Sequence, residues 1–127
     1  MRQGRLETAS YGGRQAARTL LASGFEPTAI VCEDDLMAAG ALRELRERGL
    51  RVPQDVSVTG FDNIQLSEFC YPSLTTVHIP RERIGRMICD CLVPGPDSPT
   101  ARAPEIVIDP EFVLRDSTGP ARTPGAA

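Results

Sequence analysis

The sequence has no lysine and no tryptophan, and its one histidine is His78. All 14 basic residues are therefore arginine, a side chain that stays protonated and does not act as a titrating amine. Acidic residues after an apolar strand resemble a phospho-receiver or a haloacid-dehalogenase-like phosphatase, but both need a phosphate-binding lysine. A Ser/His/Asp triad would have to use His78, which lies in the strand-like run Leu74–His78 and reads as structural or exposed. There is no G-x-S-x-G elbow, no Walker loop and no G-x-G-x-x-G. An enzyme is therefore not expected. The four cysteines, Cys32, Cys70, Cys89 and Cys91, form no CxxC pair, and Cys89-Asp90-Cys91 is too tight for a metal knuckle. They read as reduced, mostly buried thiols, and neither a metal nor another cofactor is expected. No apolar run approaches the roughly 18 residues of a membrane span, and none follows Met1-Arg2-Gln3-Gly4-Arg5 as a signal-peptide core would. The expectation is a cytoplasmic protein with no membrane partner. A net charge of −3 offers no basic surface for nucleic acid.

What is present fits one ordinary domain with a core: 127 residues, 41% of them hydrophobic. Tyr11 to Ser23 reads as a helix with Ala16, Ala17, Leu20 and Leu21 as its stripe and Gly24 as its stop. Thr28 to Cys32 reads as a strand buried on both faces. The next helix is capped by Asp34 or Asp35, carries Ala38, Ala41, Leu42 and Leu45 at helical spacing, and ends at Gly49. Val56 to Phe61 and Leu74 to Val77 read as strands. Pro80 opens a helix with Ile84, Met87, Ile88, Cys91 and Leu92 on one face. Pro94 to Pro104 reads as a loop. Ile106–Ile108 and Phe112–Leu114 read as two further strands, and the chain from Gly119 as a disordered tail. Alternating strands and helices argue for an α/β fold with a mostly parallel sheet.

In such sheets ligands bind beyond the carboxyl ends of the strands. Glu33-Asp34-Asp35 follows the first strand and Asp62-Asn63 the second. Either acid has a bland role available: Asp34 or Asp35 as a helix cap, Asp62-Asn63 as turn formers. Two acidic loops on one rim could instead hold Mg²⁺, act as acid and base, or accept hydrogen bonds from a polyhydroxy ligand.

Longer patterns carry a resemblance. The segment from Leu50 through Val52-Pro53-Gln54-Asp55-Val56-Ser57-Val58 to Gly60-Phe61-Asp62-Asn63 is similar to the signature of the LacI/GalR family of bacterial transcription regulators. So is Pro72-Ser73-Leu74-Thr75-Thr76-Val77. Asp34-Asp35-Leu36-Met37-Ala38-Ala39-Gly40 resembles the family's N-D-x-x-A-x-G helix start, and Leu114-Arg115-Asp116-Ser117-Thr118 its closing motif. The resemblance implies a partial periplasmic-binding-protein-like (type I) fold over residues 1–118, mostly parallel sheet flanked by helices, with a tail at 119–127. It implies the effector-binding sensor of a regulator that works as a homo-oligomer and binds a small molecule, sugar or nucleoside-like. Operator DNA would be reached only through a helix-turn-helix head that this stretch lacks. By position, Asp62 would be the acid contacting a ligand hydroxyl. Asp34 stands where the family usually has Asn and Ile79 where many members have Gln, while Asp35 matches a structural Asp. The helix at Arg81–Leu92 and the strand near Ile106 would belong to the other, N-terminal subdomain, whose sheet is absent. The alternative is a solute-binding protein of an ABC importer, which shares the fold.

Overall fold

The computed structural model describes residues 2–92 and 105–123, with side chains from residue 8 onward. Eight elements follow in order: α1 (Arg2–Ala22), β1 (Ala29–Val31), α2 (Asp35–Glu47), β2 (Ser57–Thr59), α3 (Leu66–Phe69), β3 (Thr76–His78), α4 (Arg81–Leu92) and β4 (Glu111–Val113). β1 and β2 pair in parallel, with Ile30 opposite Val58. β3 continues the parallel set through bridges of Thr59 with Thr75 and Asp62 with His78, and β4 closes antiparallel on β3.

The core lies between this sheet and α2. Ala38, Leu42, Leu45, Val56, Val58 and Leu74 are buried together, with Leu21, Ile30 and Cys70 packed on them. Each fully buried Leu or Val contributes about 1.5–3 kcal/mol relative to an exposed one. α1 crosses over α2 at two glycines. A Cβ on Gly40 would meet the backbone of Ser10 and Arg14, and one on Gly13 the backbone of Met37. Ala17 is buried at the same contact whereas Ala16 is exposed, so the stripe is turned from the Ala16–Leu21 face expected from spacing.

Charge fastens the two helices. Glu44, buried, accepts from Arg14 Nε, Arg18 Nε and Arg48 Nε, each at 3.0 Å, and Glu47 pairs with Arg14 and with Arg43. The hydrogen bonds from Arg18, Arg14 and Arg48 hold the Glu44 carboxyl far below its ordinary value of 4.5. A lowered carboxyl pKa stabilises the fold fully above that ordinary value and is lost as pH falls through the native one. Glu44→Gln is therefore expected to lower the melting temperature at neutral pH and to flatten its fall between about pH 5 and pH 3. Thermal melts across that range check both halves.

Further readings change. β1 is not buried on both faces: Ala29 and Val31, which share one face of the strand, are exposed, Val31 by 83%, because no described residue covers that face. Ile106–Ile108 forms no strand, having no sheet to join. Cys89 and Cys91 are exposed rather than buried, since α4 buries none of its residues. The one-turn helix α3 was not anticipated. At the start of the expected tail, Gly119 N donates to Ser57 Oγ at 3.1 Å and Arg122 Nε to the Asp55 carbonyl at 3.2 Å. The expected loop Pro94–Pro104 lies outside the described residues.

Candidate functional site

The loops after β1, β2 and β3 meet on one rim, and Asp35 joins them. Its amide donates to Phe61 O at 3.0 Å. Its carboxylate accepts from Ile64 N at 2.8 Å and from Thr76 Oγ1 at 2.5 Å. Burial is the largest influence on this carboxyl and raises its pKa; the bonds from Thr76 and Ile64 oppose it. Gly60 makes the arrangement possible, because a Cβ there would strike the Asp35 carboxylate and the Leu74 side chain. Asp35 is thus committed to structure, as its place in the sequence implied.

Asp34 caps α2: its Oδ1 accepts from Met37 N at 2.7 Å. Beneath it, burial and then the Asp34 charge push the Cys32 thiol up to about 11, so it stays protonated and unreactive at neutral pH.

Asp62 is placed differently. Its amide donates to Val77 O at 2.9 Å, yet its side chain is 42% exposed and, among the described residues, its charge partner is Arg81 Nη1 at 3.9 Å. Asp62 and Asn63 both have positive φ, 101° and 49°. Asn tolerates the left-handed region, but a φ near 100° on a non-glycine residue costs on the order of 1–3 kcal/mol. The surroundings hold the loop there. Asn63 Oδ1 accepts from Arg115 Nη2 at 2.8 Å. Arginine can only donate, so the amide oxygen faces it and Nδ2 faces His78 Nδ1 at 3.3 Å. His78 therefore braces the loop, and its Nδ1 serves as an acceptor. Ser67 Oγ donates to Ile64 O at 2.7 Å, so His78 and Ser67 are both engaged with this loop and not with one another.

The rim therefore unites Asp34 and Asp62 through the Asp35–Phe61 bond, while Ile79 and Arg81 stand at its β3 side. Among the described residues no group of three His, Cys, Asp or Glu is placed to hold a metal ion, and no helix is long and apolar enough to cross a membrane. Sequence reasoning named Asn63 as a turn former and Arg115 as part of a closing motif, but missed the bond between them. Nothing local marked that contact, because the side-chain partners of Arg115 lie 41 to 52 residues away.

A profile of the periplasmic binding protein-like domain matches residues 2–118. The chain is a LacI/GalR-type member of this family. Over 106 residues it is 41% identical to the HTH-type transcriptional repressor CytR of Escherichia coli (strain K12), covering 84% of this chain and 31% of that protein. Its fold matches the Lac repressor dimer bound to operator and the anti-inducer ONPF with a TM-score of 0.79, at 31% identity over 86% of this chain and 38% of that one. A LacI family transcriptional regulator from Arthrobacter sp. FB24 in complex with lactose matches with a TM-score of 0.76, at 34% identity over 87% of this chain and 42% of that one. The chain spans about a third of the length of the curated relatives it matches. These LacI/GalR relatives are transcription regulators, so the likeness does not favour the importer alternative.

Proposed function

We propose that this chain is the C-terminal part of the effector sensor of a LacI/GalR-type transcription regulator, and not an enzyme. One observation carries the ligand-binding half of this reading. Of the two acids expected on the rim, Asp62 is held in a strained backbone conformation with its carboxylate open to solvent, while Asp34 has an oxygen on the α2 cap. Strain of this kind persists where a site over-determines it. Asp62 accepts a hydrogen bond from a hydroxyl of a small polar effector, sugar or nucleoside-like, and Asp34 adds a second acceptor at the α2 side. The lactose complex of the Arthrobacter regulator supports the sugar class. Operator DNA is reached by a head outside this stretch, the working form is a homo-oligomer, and the compartment is the cytoplasm.

In the regulator that carries this segment, Asp62→Ala is expected to weaken effector binding about tenfold or more, since a charge-assisted hydrogen bond is worth about 1.5–3 kcal/mol. Calorimetry checks it; unchanged affinity with an intact fold removes Asp62 from the site. The 127-residue chain alone is expected to give no sequence-specific gel shift on the regulator's own promoter at moderate salt. A specific shift by the pure chain would show that it holds its own DNA reader.

A further inference from the structure

We infer that Arg115 is a positioning residue for the Asp62 carboxylate. The inference rests on the reading of Asp62 as the ligand acid, and it names what holds that acid in place. Arg115 stands two residues beyond β4, at the far end of the chain from the loop it serves. Its side chain is only 14% exposed. Its own backbone is fixed: Arg115 N donates to Thr75 Oγ1 at 3.0 Å, and Thr75 Oγ1 donates back to Arg115 O at 3.1 Å. From that anchor the guanidinium forks. Nη1 donates to Ser67 Oγ and to Leu74 O, both at 2.9 Å. Nη2 donates to Asn63 Oδ1 at 2.8 Å and reaches Glu68 Oε1 at 3.4 Å.

These acceptors span both ends of the segment that turns from β2 into α3 and on towards β3. Asn63 is the residue next to Asp62 and shares its positive φ. The amides of the three loop residues are held from outside the loop as well: Asp62 N by Val77 O, Asn63 N by Thr76 Oγ1 at 3.4 Å, Ile64 N by Asp35. What those bonds leave undetermined is the Asn63 side chain: its Oδ1 accepts from Arg115 and, at 3.3 Å, from Ser67 Oγ, and its Nδ2 meets His78. A planar fork fits this set of carbonyl and hydroxyl oxygens; an ammonium on a flexible stem does not. Arg115 thus acts on the ligand acid through Asn63, without reaching the ligand.

Site-resolved hydrogen exchange on the full chain tests this. Arg115→Met is expected to speed exchange at the Asp62, Asn63 and Ile64 amides about tenfold or more while the amides of Ala38–Leu45 in α2 keep their rates. Arg115→Lys should restore only part of the protection. Unchanged loop amides, equal acceleration of loop and α2, or full rescue by lysine would each overturn the inference. If Arg115→Met does not fold, Asn63→Gly takes its place, because glycine tolerates the positive φ and removes the side chain that Arg115 and His78 hold. It should speed the same three amides, and adding Arg115→Lys to it should speed them no further; additive effects would show that Arg115 does not act through Asn63. Unchanged effector affinity in Asp62→Ala would remove the ligand role of Asp62 and leave the exchange result standing, so the two failures are distinguishable.

Discussion

Gly40→Val is expected to abolish the folded state. The Cβ of any residue at Gly40 falls against the Ser10 carbonyl and the Arg14 amide of α1. Backbone cannot yield as a side-chain tip does, so the helices must separate, and separation undoes the Glu44 arginine cluster together with the burial of Ala17 and Ala41. Overpacking in a close contact costs about 1–3 kcal/mol when side chains can move aside, and more when they cannot. With a domain stability on the order of 5–15 kcal/mol, loss of the crossing leaves little. Circular dichroism and a denaturant melt read the outcome. A cooperative transition within about 1 kcal/mol of the parent would show that α1 docks by some other face.

The second large effect concerns α4. Among the described residues nothing fully covers its apolar stripe of Ile84, Met87, Ile88, Cys91 and Leu92: no residue of the helix is buried, Ile88 is 52% exposed and Leu92 75%. Ile106 and Ile108 come alongside and line a hollow with it, but they are not buried either. Leaving about four large side chains uncovered forfeits roughly 1.5–3 kcal/mol each, a sum comparable with the net stability of a domain. The chain on its own is therefore expected to self-associate in size-exclusion with light scattering. The paired substitution Ile88→Glu and Leu92→Glu should reduce the associated fraction and leave the melting temperature of the remainder within a few degrees. The same two carboxylates placed in a packed helix face would unfold it, because burying an unpaired charge is costly. A monodisperse parent, or a collapse of stability in the double variant, would show that α4 is seated within the chain.

How far the sequence could be read follows from the range of the forces involved. α2 was legible from end to end because its cap at Asp34, its stripe and its Gly49 stop are local. The pairing of β1 with β2 followed from two apolar runs around a helix. The burial of β1 did not: Val31 looks like a core residue, and only a neighbour on its far side would make it one. Ile106–Ile108 failed for the same reason, since three apolar residues become a strand only beside a partner. At the rim, the two acidic loops could be found from their positions after strands, whereas the division of labour was implied by the family resemblance and not by the residues' own chemistry. Asp34, Asp35 and Asp62 are the same chemistry on paper. Gly60, by leaving room for one carboxylate to reach Thr76 and Ile64, decides that Asp35 is the structural acid, and the positive φ at Asp62 decides that its carboxylate is presented.

Ser117 sits between β2 and β3 and serves both. Its carbonyl accepts from Val58 N at 2.8 Å, its hydroxyl donates to Val58 O at 2.6 Å and accepts from Thr75 N at 2.8 Å. One residue thus bonds to both neighbouring strands beside the Thr59–Thr75 bridge that joins them. The order of synthesis gives this a temporal meaning. The ribosome has made α1, β1, α2 and β2 about 58 residues before the hydroxyl that completes them exists. Until then Val58 and Thr75 present unsatisfied backbone groups to whatever strand is near. The nascent chain must wait, exposed, until Ser117 has been made, and a stop at or before that codon would leave the sheet unlatched.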